Sequence, residues 1–158
     1  MPRSYIKYSR AIWKTQIEQL ELYCEKRKWK IEYVTNDPRS DAAVFAENKL
    51  IIQSDRKPEI TFYYFLHELG HMIAFHGNKS YYDSSKEDVD FHNSSQAHKV
   101  KCIEEEFDAW KRGLKLSKRL NLVIERKKFE SIKARCITSY MMWALERKFK
   151  KALDEANK

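Results

Sequence analysis

Glycine and proline are scarce in this chain, with three of each in 158 residues. An all-β sandwich or barrel needs more of both for its many tight turns, so helices are expected to dominate. Cysteine is equally scarce. Cys24, Cys102 and Cys136 stand far apart with no Cys-x-x-Cys pair, which argues against a disulfide framework or a thiolate zinc site and leaves reduced, half-buried thiols as the expectation. No stretch approaches the roughly 18 uncharged residues of a membrane span. The opening segment MPRSYIKYSRAIWK holds no apolar leader, so a cytoplasmic protein with no membrane association is expected. Apolar and charged residues are plentiful, at 42% and 34%, with 13% aromatic. That much apolar surface offsets chain entropy and excludes disorder as a description of the whole chain, and the length suits one domain over residues 1–158.

Charge is distributed unevenly. The net charge is +8, and residues 99–158 carry 17 Lys+Arg against 9 Asp+Glu, whereas the first 98 residues are balanced at 14 and 14. A basic half of this kind points to an anionic partner, nucleic acid or an acidic protein surface, with Lys127, Lys128, Arg147, Lys148, Lys150 and Lys151 as contributors. Lysine-rich solvated helix faces account for the same composition.

From Ser9 onward, Ile12, Trp13, Ile17, Leu20, Tyr23 and Cys24 recur at spacings of three and four, which predicts an amphipathic helix over 9–29 capped by Ser9. IEYVTN, AAVFA and KLIIQ read as three short strands broken by turn residues. Pro58 and Glu59 suit a helix first turn, and the apolar run ITFYYFLHELGHMIAFHG predicts a largely buried helix ending with Gly77 at C′. Residues 78–96 are polar and aperiodic, the pattern of a long surface loop. Two more helices follow. One runs over 97–120 with a stripe of Val100, Ile103, Phe107, Trp110 and Leu114, the other over 126–152 with Phe129, Ile132, Cys136, Tyr140 and Trp143. The expected fold is α+β and helix-dominated, with a sheet of about three strands.

His67-Glu68-Leu69-Gly70-His71 matches HExxH. On a helix His67 and His71 differ by about 40°, so both imidazoles reach one metal ion, with Glu68 beside them where it can touch a metal-bound water. Two histidines and a glutamate in an apolar helix cost several kcal/mol of desolvation without partners, and zinc would supply them. A catalytic zinc site takes a third protein ligand and leaves the fourth position to water. Gly77 occupies the position, ten residues after His67, at which metzincins place a third histidine. The segment IEEEFDAW offers glutamates instead: on the wheel Glu105 points away from the apolar stripe, while Glu104 and Glu106 flank it. Glu106 shares its side with Ala109 and Gly113, small residues that allow close approach to the HELGH helix, and is the preferred ligand, with Glu104 the alternative.

HELGH followed by Glu106-x-x-Ala109 on a later helix resembles the ImmA/IrrE family of small gluzincin-type metallopeptidases, which includes compact phage-encoded members. The order of helix, small sheet and HExxH helix is also that of the family's minimal zincin-like domain. The resemblance covers about residues 9–120, leaving 121–158 as a basic helical extension. It implies zinc-dependent hydrolysis of peptide bonds in a cytosolic protein such as a regulator or DNA-bound protein. His67, His71 and Glu106 would be metal ligands, and Glu68 the general base. Tyr63, Tyr64, His76, Tyr81, Tyr82 and His92 are candidate oxyanion donors, none selected by the sequence. His92 and His98 read more simply as solvated. The segment AVFAENKLIIQ could align a substrate by strand addition. The competing expectation is a DNA-associated or protein-interaction module with a structural or silent zinc. Glu68 discriminates, since a structural site has no need of a carboxylate beside the metal water.

Overall fold

A computed structural model describes residues 8–37, 41–77 and 95–156. Four helices dominate, α1 (Arg10–Glu25), α2 (Pro58–Gly77), α3 (Gln96–Arg119) and α4 (Arg126–Ala156), and a small mixed sheet completes the α+β fold. Ser9 caps α1 as its sequence predicts, its Oγ accepting from the Ile12 N–H at 3.4 Å. The helix stops at Glu25, short of 29, because the chain turns through Lys28 in the left-handed region (φ 58°). Among the described residues the other positive φ values fall on asparagine, at Asn36, Asn48 and Asn121, the residue type that tolerates this conformation best after glycine. This is how a chain with three glycines makes its corners.

The sheet holds β1 (Lys30–Val34), β2 (Ala42–Val44) and β3 (Lys49–Gln53) in the order β1-β3-β2. β3 runs parallel to β1, with Leu50 opposite Ile31, and antiparallel to β2, with Leu50 opposite Ala43. AAVFA is a strand only to Val44; Phe45–Glu47 forms a 3₁₀ turn, where Phe45 stacks on Phe75 of α2 at 4.7 Å. KLIIQ is the central strand, so among the described residues the edges of the sheet are β2 and β1.

Leu50 and Ile52 are fully buried with Leu20, Phe62, Phe65, Leu66 and Leu69, so α1 and the sheet enclose α2. The connection between α3 and α4 is fastened to α1 by the buried Gln16, whose amide donates to Val123 O at 3.3 Å while its carbonyl accepts from Val123 N–H. Phe129, Ile132 and Ile137 of α4 belong to the same core cluster. Cys24 is buried, Cys102 and Cys136 are half-buried, and all three are free. Among the described residues no helix is long and apolar enough to cross a membrane. Gly77 is the last residue of α2 and does not adopt the positive φ of a C′ glycine. The loop expected at 78–96 lies outside the described residues except for its end, where Ser95 caps α3 and Gln96 begins it.

α3 departs most from its sequence pattern. Val100 and Phe107 are 54% and 46% exposed, whereas Glu106, Ala109, Trp110, Gly113, Leu116 and Ser117 are buried. At 100° per residue this face is centred on Glu106, roughly 80° from the centre of the expected stripe. Backbone approach explains the rotation. A Cβ placed on Gly70 would lie 2.0 Å from Ala109 O, and one on Gly113 would lie 2.4 Å from Leu66 O. The two helices cross through this pair of glycines. Gly70→Ala is therefore expected to force α2 and α3 apart at a cost of about 3 kcal/mol or more. A fall of roughly 6–12 °C in the melting temperature would register that cost. An unchanged melting curve would contradict the crossing.

Candidate metal centre

α2 places His67 and His71 one turn apart, and the rotation of α3 brings Glu106 directly over them. His67 Nε2 lies 3.1 Å from Glu106 Oε2, His71 Nε2 lies 3.3 Å from Glu106 Oε1, and the two Nε2 atoms are 3.2 Å apart. These three residues form a group able to hold a metal ion. Two observations support a cation at its centre. Two imidazole nitrogens bound to one tetrahedral cation at about 2.0–2.1 Å stand about 3.3–3.4 Å apart, close to the 3.2 Å between His67 Nε2 and His71 Nε2, and each of these nitrogens keeps a similar distance to one Glu106 oxygen. In addition, His67 Nε2 faces Glu106, His71 and, at 3.8 Å, Glu68 Oε1. A single ring nitrogen carries at most one proton and cannot bond to all three. A cation between them satisfies the lone pairs together.

The imidazole of His67 is fixed by stacking on Trp110, 4.5 Å between centroids with a 27° interplanar angle, and its Nδ1 has no hydrogen-bond partner among the described residues. Ring packing thus orients this imidazole, where in metal-ligating histidines a hydrogen bond to the second nitrogen commonly does.

Burial raises the Glu106 carboxyl's pKa, but the hydrogen bonds and charges of His67 and His71 outweigh it and hold the group well below the usual carboxylate range. For His71 burial acts downward, and the bond to Glu106 with the Glu68 and Glu106 charges moves it up. Glu68 is 5% exposed, and burial pushes its pKa up, against the lowering by His67 and His71 and with help from Glu106 and Asp41. Glu68 is therefore not an ordinary surface carboxylate.

These groups open onto a cleft of about 360 Å³ lined by Asp41, Tyr64, His67, Glu68, Glu106, Cys136, Ser139, Tyr140 and Trp143. Asp41 holds the cleft end of β2, accepting from Gln53 N–H at 2.9 Å and pairing with Arg56. Four wall residues come from α4, so the segment after residue 120 is part of the site. Tyr140 was not among the candidates from sequence. Burial raises its phenol's pKa, as does the hydrogen bond it makes to Glu106. Its sequence signal, a place on the apolar stripe of α4, is the signal of a core residue.

The remaining glutamates and oxyanion candidates fall elsewhere. Glu104 is exposed and lines a groove with Phe107 and Lys133. Glu105 does not point away into solvent. It is half-buried near His71, because the rotation of α3 leaves it at the edge of the packed face. Tyr63 is fully buried, its hydroxyl accepting from Glu125 N–H at 3.1 Å. Tyr64 lies in the cleft with Cys136 Sγ 3.7 Å from its hydroxyl. His76 stacks on Trp29 at 5.1 Å, and His98 Nε2 lies 3.4 Å from Cys102 Sγ. Tyr81, Tyr82 and His92 lie outside the described residues. Of the basic cluster, Lys128 Nζ sits 3.5 Å from Glu59. The side chains of Arg147, Lys148, Lys150 and Lys151 are outside the described ones.

No family model, curated protein or solved structure matches the chain.

Proposed function

We propose that this chain is a zinc-dependent metallopeptidase of the gluzincin type, with His67, His71 and Glu106 as ligands and Glu68 as general base, acting on a protein substrate. The observation that carries this reading is the position of Glu68, whose carboxyl stands beside the ligand group and faces an open cleft. A structural zinc site is closed by four protein ligands; among the described residues this group has three, with the Glu68 carboxylate beside it.

A zinc ion held there would polarise the scissile carbonyl and lower the pKa of its water toward about 7. Glu68 takes the proton of the attacking water as the water oxygen bonds to the carbonyl carbon. It returns that proton to the amine as the C–N bond breaks. β2 is an edge strand, and Asp41, the residue just before it, lines the cleft, which supports the entry of an extended substrate by strand addition.

Incubating the zinc-loaded full chain with a panel of unfolded proteins and reading the products by mass spectrometry tests the proposal. Internal cleavage is expected, blocked by a chelator and restored by zinc. Intact substrates throughout, with zinc demonstrably bound, would reject it in favour of a structural or silent site.

A further inference from the structure

Hydrolysis at this centre creates negative charge on the substrate's carbonyl oxygen, and a donor on the cleft wall opposite that charge would lower the barrier. Resting on the metallopeptidase reading, we propose that Tyr140 is a catalytic residue whose hydroxyl donates a hydrogen bond to the scissile carbonyl oxygen as it becomes an oxyanion.

Three observations carry the assignment. First, Tyr140 lines the same cleft as Glu68 and the ligand group. Second, its hydroxyl already reaches Glu106, whose two oxygens stand 3.1 and 3.3 Å from the imidazole nitrogens, so the phenol lies one hydrogen bond from the ligand group. An acceptor arriving beside Glu106 competes for that single O–H proton. Third, the ring is held in place, edge-on to Trp143 at 6.3 Å and 89°, on a helix anchored in the core by Phe129, Ile132 and Ile137. A donor fixed before the charge develops needs little reorganisation when it does. Of the other described candidates, Tyr63 sits in the core and His76 against Trp29, while Tyr64 shares the cleft with its hydroxyl accepting from Cys136 Sγ.

The step balances without consuming the phenol. Water oxygen bonds to the carbonyl carbon, the C=O electron pair moves onto oxygen and Glu68 takes the water proton. Tyr140 shares its own proton with the oxyanion and keeps it. On collapse the C–N bond breaks and Glu68 delivers its proton to the amine.

The test is Tyr140→Phe in the full chain, which removes one oxygen and leaves the ring. Zinc affinity is read by chelator competition, kcat and KM on a peptide that the wild type cuts, and binding of a peptide phosphonamidate as a stable tetrahedral anion. Zinc affinity and KM are expected to stay within about threefold, while kcat falls by about 10²–10³-fold, the effect of removing one oxyanion donor. Phosphonamidate affinity should fall with kcat, since both report binding of the tetrahedral anion. A variant that loses zinc affinity tenfold and recovers wild-type kcat at saturating zinc would overturn the proposal, showing that the hydroxyl only steadies Glu106. Unchanged kcat and unchanged phosphonamidate binding would overturn it as well. A wild type that cuts nothing rejects the metallopeptidase reading instead, and the phosphonamidate comparison then still decides whether Tyr140 meets an anion in the cleft.

Discussion

Glu68→Gln is expected to retain its zinc while hydrolysis falls by about 10²–10⁴-fold, the range that a positioned general base contributes. At about 1.36 kcal/mol per decade this is roughly 3–5 kcal/mol of transition-state stabilisation. Glutamine keeps the shape of the side chain and can still hydrogen-bond, but its amide cannot accept the water proton. The metal should be indifferent to the change, because Glu68 Oε1 stands 3.8 Å from His67 Nε2 and is not one of the three converging ligands. Zinc content by elemental analysis and cleavage rates on one substrate, measured side by side for both proteins, separate the two effects. Cleavage at the wild-type rate would remove Glu68 from the role of base. Loss of zinc would make it a ligand.

Glu106→Ala is expected to weaken zinc binding by more than about 100-fold, beyond the 10–100-fold commonly lost with a partner outside the ligand set. The two imidazoles left behind provide only a pair of ligands, and the carboxylate that neutralises part of the metal's charge is gone. Its neighbours on α3 supply the controls. Glu104 is exposed, so Glu104→Ala should change zinc affinity by no more than about twofold, as ordinary surface substitutions do. Glu105 is half-buried, and the proximity of His71 enters its protonation balance, so Glu105→Ala should cost an intermediate amount, about tenfold at most. Chelator-competition titrations on the three variants order them directly. Release of the metal by Glu104→Ala with retention by Glu106→Ala would show that α3 is turned the other way.

Much of this centre is legible before any coordinates. The i, i+4 spacing of His67 and His71 places them on one helix face whatever surrounds that helix, since the geometry is local. Ser9 and Pro58 mark helix starts through chemistry that depends on residues within one turn. The small side chains of Ala109 and Gly113 single out Glu106, because a carboxylate can reach a neighbouring helix only where the two backbones come close.

Two matters were decided only in the tertiary structure. The rotation of α3 does not follow its apolar pattern: Val100 and Phe107 face solvent while Glu106 is 7% exposed. The contacts of Gly70 with Ala109 and of Gly113 with Leu66, together with the pairing of Glu106 to two imidazoles, outweigh burial of two apolar side chains. Periodicity within α3 cannot register a contact whose other half lies on α2. Tyr140 is the second case, 69 residues after His71 on a helix whose stripe says which residues face inward but not what they face. Local spacing therefore determined the His67–His71 pair, the neighbouring Glu68 and the elements that carry them. The crossing of α2 and α3 decided where Glu106 sits, and the docking of α4 built the cleft wall, because both depend on long-range packing that a one-dimensional pattern does not encode.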